Sequence, residues 1–340
     1  MSNAQRLLCL SPAEPPALSV EAAAVPRPGK GEVVVRVEAA SVNPIDVKRA
    51  GGYGQRLLKL KGAGKFPLVL GNDIVGIVET VGQGVTTRRP GERVFGLVPT
   101  GKVGAHASHV AVDARWLRPV GEGQDAAALA ALPYTFTTLW QALRKVGLDA
   151  GNARGREVLI HGASGGLGRL AIQLLVRWGA TVTAICSTAN VETCKDLGAT
   201  SVWDRQRTSL SGLPQRYDAV LNFGAWQDEE RLIGALKQGA LGSATTVHPL
   251  LPNIDKLGWL RGAWQTRRDM RRASGLAAAK GARYGWVVFK PEEEALDALH
   301  RLLSEGALAL PVGISVPLSE ARQAFAHVAR RQPGRAILLP

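Results

Sequence analysis

The sequence predicts an α/β chain in two parts, a barrel-like β unit and a doubly wound parallel sheet. Short β-branched stretches punctuated by Gly and Pro fill the first third of the chain. Further on, strands alternate with helices, the pattern of βαβ units with both sheet faces covered. A glycine-rich turn joins one of those strands to the helix that follows it.

Taken in order, Val33 to Val37 reads as a strand after the Gly29-Lys30-Gly31 turn. Strands are expected again at Asp73 to Val81, Arg93 to Val98 and Ala107 to Val112. Ala126 to Leu132 is helix-forming, and Tyr134 to Val146 continues as an amphipathic helix after Pro133. Val158 to Ile160 is a buried strand, Leu167 to Trp178 a helix, Thr181 to Cys186 a strand and Val191 to Leu197 a short helix. Ser201 to Trp203, Ala219 to Leu221, Ala244 to Val247 and Trp286 to Phe289 read as further strands, with a helix at Glu229 to Lys237. The tail predicts a helix (Glu292 to Ser304), a strand (Val312 to Val316), a helix (Ser319 to Arg330) and a strand (Arg335 to Leu339).

With 340 residues, 46% hydrophobic and 21% charged, the chain is long enough for about two domains and too apolar for wholesale disorder. Its best apolar run, Leu170 to Val176, falls far short of the ~18 residues a membrane span needs. Pro12, Glu14, Pro15 and Pro16 argue against a secretory leader. Cys9, Cys186 and Cys194 make neither a disulfide scaffold nor zinc-ligand spacing. A cytoplasmic protein is expected. The net charge of +14 favours an anionic partner, and it concentrates in Arg261 to Arg283, where Asp269 is the lone acid. That segment reads as a solvated helical face or as a docking surface for an anionic partner, such as an anionic membrane surface. No specific nucleic-acid partner is expected.

The most informative stretch is Val158-Leu159-Ile160-His161-Gly162-Ala163-Ser164-Gly165-Gly166-Leu167-Gly168. It follows a strand and opens a helix, as a dinucleotide turn must. Ala163 stands where the first glycine of the usual motif sits. Gly165 lets backbone approach a diphosphate, and Gly168 lets helix and strand pack closely. N–H groups at the helix start, around Gly166 and Leu167, would meet the phosphates, with Ser164 and Gly165 also counted as cofactor-binding. The second strand of the unit ends at Cys186-Ser187-Thr188 without an acid. Ser187 can hydrogen-bond a 2′-phosphate that an acid would repel, and Arg205 offers it a fork of donors, so NADPH is the expected cofactor.

Ser41-Val42-Asn43-Pro44-Ile45-Asp46, Leu70-Gly71-Asn72-Asp73-Ile74-Val75-Gly76 and Pro90-Gly91-Glu92-Arg93-Val94 resemble signatures of the zinc-free quinone oxidoreductase branch of the medium-chain dehydrogenase/reductase superfamily. Gly52-Tyr53-Gly54, Leu132-Pro133-Tyr134, Asn253 to Gly258 and Tyr284-Gly285-Trp286 extend the resemblance over nearly the whole chain. It implies a GroES-like catalytic domain at 1–125, completed by 291–340, with a Rossmann NADPH-binding domain at 126–290. The zinc branch carries Cys near Asn43 and Gly-His-Glu where this chain has Gly71-Asn72-Asp73, so a zinc-free enzyme is implied. Asn190 and Arg205 replace a lysine and a tyrosine common in NADPH members, which shifts weight onto Arg205.

The implied activity is reduction of a hydrophobic quinone or enone. Without zinc, the substrate oxygen must be polarised by hydrogen-bond donors. Asn43 can donate from its amide, or serve only as a turn residue before Pro44. Tyr53 resembles the proton-donor tyrosine of related enoyl reductases, or caps a glycine loop. Thr138 matches a threonine bordering the nicotinamide, and Asn222 ends a strand at the carboxyl edge of the sheet, where cofactors bind. Tyr284, Trp286 and Phe289 are implied to border the nicotinamide. A homodimer joined along sheet edges is expected, near Ala240 to Val247 and Trp286. The competing reading is a Rossmann-fold binding protein whose basic face holds RNA or an anionic membrane, with little turnover.

Overall fold

The computed structural model describes residues 4–60, 62–121 and 123–340. They divide into two compact units, Met1–Thr137 with Lys290–Pro340, and Thr138–Phe289.

In the first unit, β1 (Ala4–Cys9) pairs antiparallel with β2 (Leu18–Ala23), a ribbon the proline-rich sequence does not announce. β3 (Glu32–Val42) is the central strand, and Val33, Val34, Val35 and Val37 are all buried because other elements cover both its faces. Asn43 opens α1 (Pro44–Ala50), with Pro44 in the first turn, where its missing N–H costs nothing. α2 (Gln55–Leu60), β4 (Asp73–Val81), β5 (Arg93–Leu97), β6 (His109–Asp113) and β7 (Leu117–Pro119) follow. α3 (Ala126–Ala130) is capped by Asp125, whose side chain accepts from the Ala128 N–H. α4 (Pro133–Val146) carries the chain into the second unit.

The second unit alternates β8 (Glu157–His161), α5 (Gly166–Arg177), β9 (Thr181–Cys186), α6 (Val191–Asp196), β10 (Ser201–Asp204), β11 (Ala219–Asn222), α7 (Glu229–Gly234), β12 (Gly242–Thr245), α8 (Leu250–Ala278) and β13 (Arg283–Trp286). All strand pairs are parallel, in the order β10-β9-β8-β11-β12-β13. The order reverses direction at β8, beside the glycine turn, which is where a doubly wound sheet opens a crevice. The last strand lies three residues earlier than expected. The Val287 N–H still donates to the Thr245 carbonyl of β12 at 2.9 Å, and residues 287–289 run on as irregular chain where β12 has ended.

α9 (Glu293–Ser304), β14 (Val312–Pro317), α10 (Ala321–Ala329) and β15 (Arg335–Leu339) return to the first unit. β15 pairs antiparallel with β3, matching Ala336 to Val42 and Ile337 to Ser41, and so brings the C-terminal tail against the Ser41-Val42-Asn43 corner. Residues 126–137 pack with the first unit, whereas the expected junction put them in the second. The reason is local: the Tyr134 N–H donates to buried Asp73, and α3 packs on β3 and β4.

Candidate active site

The glycine turn is built as the residue types require. Gly162 has φ 77°, and a Cβ there would come within 2.9 Å of the Phe223–Gly224 backbone. A Cβ on Gly168 would lie 2.4 Å from Ala163 Cα, so only glycine lets α5 start this close to the strand it follows. Gly165, the N-cap of α5, has no side chain to cap the helix, and a Cβ there would meet nothing nearer than the Gly162 carbonyl at 3.4 Å. The N–H groups of Gly166, Leu167 and Gly168 have no partner within the helix, by its geometry. Ser164 is held beside them, its carbonyl accepting from Arg169 Nε at 2.9 Å. This is an open anion cradle at the N-terminus of a twelve-residue helix.

Next to it, β9 and β10 pair Cys186 with Asp204, which places Ser187 and Arg205 at neighbouring strand ends. The Arg205 side chain is exposed, and its N–H donates to the Cys186 carbonyl at 3.0 Å. Ser187 Oγ accepts from Asn190 Nδ2 at 2.9 Å. One acid stands here that the strand-end reading missed. Asp204 accepts from Thr188 Oγ1 at 2.7 Å and from the Gln206 N–H at 3.0 Å, and Arg207 lies at 3.5 Å. Those hydrogen bonds, Thr188's above all, hold its carboxyl below the usual range.

At the carboxyl end of β11, Asn222 is fully buried and spends its whole amide internally. Nδ2 donates to the Ala225 carbonyl at 2.8 Å and to Glu229 Oε2 at 2.5 Å, while Oδ1 accepts from the Gly224 N–H at 3.0 Å and lies 2.9 Å from His161 Nδ1. The expectation that Asn222 binds cofactor is therefore redirected: with both amide hydrogens committed, it shapes the 223–225 turn. Burial raises the Glu229 carboxyl and lowers His161, against hydrogen bonds to Asn222 in both cases. Tyr284 Oη accepts the Trp286 indole N–H at 2.9 Å. Trp286 is buried, its ring parallel to His248 at 4.8 Å and edge-on to Trp226 at 5.7 Å. Trp286 thus works through packing, not as an exposed wall. Thr138 is buried on α4, and Phe289 is half-buried at the end of the unit.

In the first unit, Asn43 is also fully buried, and its amide cannot polarise a substrate as expected. Nδ2 donates to Asp73 Oδ2 at 2.7 Å and to Ser41 Oγ at 2.9 Å, and Oδ1 accepts from Arg335 Nη2. Ser41 Oγ donates to the same Asp73 oxygen, and the Tyr134 N–H donates to the other at 2.5 Å. Burial pushes the Asp73 carboxyl up to about 6, against the pull of Ser41, Asn43, Tyr134 and the Arg335 charge. Asp46 bridges the same corner, accepting the Asn43 N–H at 2.8 Å and the Gly71 N–H at 3.1 Å. Tyr53 lies half-buried between Gly52 (φ 89°) and Gly54 (φ 74°), with Lys48 Nζ 5.4 Å from its ring centroid.

Residues 29–122 match the alcohol dehydrogenase GroES-like domain family, and residues 197–338 match the zinc-binding dehydrogenase family. The chain is 34% identical over 312 residues to NAD(P)H oxidoreductase RTN4IP1, mitochondrial, of Mus musculus, spanning 88% of this chain and 79% of that one. This chain belongs to the medium-chain dehydrogenase/reductase superfamily. It is also 31% identical over 225 residues to 2-methylene-furan-3-one reductase of Solanum lycopersicum, covering 64% of this chain and 55% of that protein. Among solved structures, the quinone oxidoreductase from Coxiella burnetii shares the fold, with a TM-score of 0.83, 24% identity and 100% coverage of both chains.

The zinc that many members of this superfamily carry does not fit the donor set here. Asp73 and Asp46 are committed to N–H and O–H donors, and Asn72 donates its amide to the Val98 carbonyl at 2.8 Å. Among the described residues, no group of three or more His, Cys, Asp or Glu side chains could hold a metal ion. No helix among them is long and apolar enough to cross a membrane. Arg335 and Tyr134 were missed as parts of the Asn43 corner. Arg335 stands 292 residues from Asn43, and only the β15–β3 register brings it there.

Proposed function

We propose that this medium-chain reductase is a zinc-independent, NADPH-dependent enzyme acting on quinones or α,β-unsaturated carbonyls. The first unit serves as its catalytic domain and the second as its NADPH-binding domain. The observation that carries the reading is the glycine turn: Gly162 and Gly168 let backbones pack where a Cβ would clash, and Gly165 leaves the N-terminus of α5 open. NADPH, when bound, supplies the hydride. The chain's own groups do the rest. The N–H groups of Gly166 and Leu167 hold the diphosphate, with Ser164 and Gly165 in the turn, where the Gly165 N–H donates to the Gly162 carbonyl at 3.1 Å. Ser187 and Arg205 take the 2′-phosphate. Thr138, Tyr284, Trp286 and Phe289 shape the nicotinamide end, Trp286 by packing. Tyr53 donates a proton to the reduced substrate, and Asn43 holds its corner in place through Asp73 and Arg335. The names of the Mus musculus and Solanum lycopersicum relatives support a reductase of this kind. β13, at the edge of its sheet, supports pairing with a second copy.

A turnover screen of 1,4-quinones, enones and enoyl thioesters with NADPH and with NADH tests this reading, and equal use of the two nucleotides overturns the NADPH assignment. Arg205→Ala is expected to raise the KM for NADPH roughly 10- to 100-fold, the worth of one charge-assisted hydrogen bond, and to leave the KM for NADH nearly unchanged. Tyr53→Phe is expected to lower kcat at least about 100-fold with little change in NADPH affinity, since general-acid groups contribute on that scale. Unchanged turnover would remove Tyr53 from the proton path.

A further inference from the structure

α8 is built inside out. Its buried positions are small or modest, Ile254, Gly262, Ala273 and Ala277, and a Cβ on Gly262 would lie 2.6 Å from the Asn253 carbonyl oxygen. Gly258, at φ 78° and ψ −178°, kinks the helix, so that the segment after it folds back against Asn253 and Ile254. Asp269, the segment's one acid, is used up on this inner side by Asn253 Nδ2 at 3.0 Å and Gln265 Nε2 at 2.7 Å.

The large apolar side chains are on the outside. Leu260 is 89% exposed and Trp264 62%, with Leu257 and Trp259 beside the kink also exposed. At about 100° per residue, Leu260, Trp264, Arg267, Arg268 and Arg271 fall on one face. The Arg268 guanidinium lies 5.5 Å from the Trp264 ring centroid. Arg272 at the margin pairs with Glu230, but among the described residues Arg261, Arg267, Arg268 and Arg271 have no acidic partner. The surface is thus an apolar patch flanked along the helix by uncompensated guanidinium groups.

We propose that this face of α8 docks on an anionic lipid bilayer, with Leu260 and Trp264 entering the interface and Arg261, Arg267, Arg268 and Arg271 meeting lipid phosphates. Three occupants compete for such a face, and the residues separate them. A second copy, meeting the first across a two-fold axis, would oppose arginine to arginine. A nucleic acid would pair with the arginines but gain nothing from Leu257 and Leu260. An anionic bilayer satisfies both halves, with phosphates for the guanidinium groups, hydrocarbon for the leucines and an interfacial level suited to tryptophan.

The test is co-sedimentation of the full chain with vesicles of phosphatidylglycerol and phosphatidylcholine, against pure phosphatidylcholine, at low and at high salt. Binding is expected only to the anionic vesicles, reversed by salt, with a blue shift of tryptophan emission. Leu260→Ser with Trp264→Ser should cost at least about tenfold in vesicle affinity. Arg267→Gln, Arg268→Gln and Arg271→Gln together should cost about a hundredfold, each arginine being worth roughly fivefold near such a surface. Absence of binding to anionic vesicles at low salt overturns the proposal, as does full binding by the Leu260/Trp264 double variant. Two further results also overturn it: capture of a single-stranded RNA without vesicle binding, and a halved solution mass in the double variant with vesicle binding unaltered, which gives the face to a second copy.

Discussion

Gly168→Ala is expected to weaken nucleotide binding by at least about tenfold. The added carbon would sit 2.4 Å from Ala163 Cα and 2.5 Å from both the carbonyl carbon and oxygen of the same residue. Those are backbone atoms, so no side chain can swing aside, and the first turn of α5 must move off its strand. Overpacking of this kind costs about 1–3 kcal/mol and sometimes more. The larger consequence is local, because the displaced N–H groups of Gly166 and Leu167 no longer converge on a diphosphate. Circular dichroism should show the fold retained, while titration followed by NADPH fluorescence shows affinity reduced by at least about tenfold. Wild-type affinity in a folded Gly168→Ala protein would remove the glycine turn from the cofactor site.

Asp73 sets the second expectation, on stability against pH. Its carboxyl is raised to about 6 in the folded chain, against an ordinary value of 3.8. Between those values the folded state holds a proton that the unfolded state has lost, so stability falls as pH rises from about 4 to about 6 and then levels off. A shift of this size corresponds to ~3 kcal/mol. Asp73→Asn removes the titrating group, so the difference in unfolding free energy between wild type and variant should change by about that amount across the window and stay constant above it. The variant also deprives the Tyr134 N–H or Ser41 of an acceptor, which lowers its stability at every pH. Urea unfolding at closely spaced pH values separates the two effects, and a difference that does not vary between pH 4 and 6 would mean that Asp73 is ionised throughout.

Much of this arrangement is local and could be read from the chain. Glycines at 162, 165 and 168 between a β-branched strand and an apolar helix predict a tight turn in adjacent residues, and the structure has a glycine turn there. The neighbouring Ser187 and Arg205 were legible in the same way, because each follows directly on its strand. Asp204 was not. An acid at the end of β10 comes beside the end of β9 only through parallel pairing with Cys186, a register that no local pattern records. α8 was legible as a basic segment, but not which of its faces is buried. Its inner residues are small and its outer ones large, the reverse of ordinary amphipathic order.

Asn43 and Asn222 show the limit most plainly. Both sit at strand ends where a side-chain amide could meet a ligand, and the residue type alone permits that role. What the amides bond to depends on partners far along the chain, Asp73 and Arg335 for Asn43, and His161 for Asn222. The sequence by itself determined the two-part α/β architecture, the superfamily signatures and the glycine turn, because each follows from contiguous residue types. Only the tertiary structure decided that those two asparagines are committed inward and that Leu260 and Trp264 face out, because burial and hydrogen-bond saturation depend on which distant segments pack together.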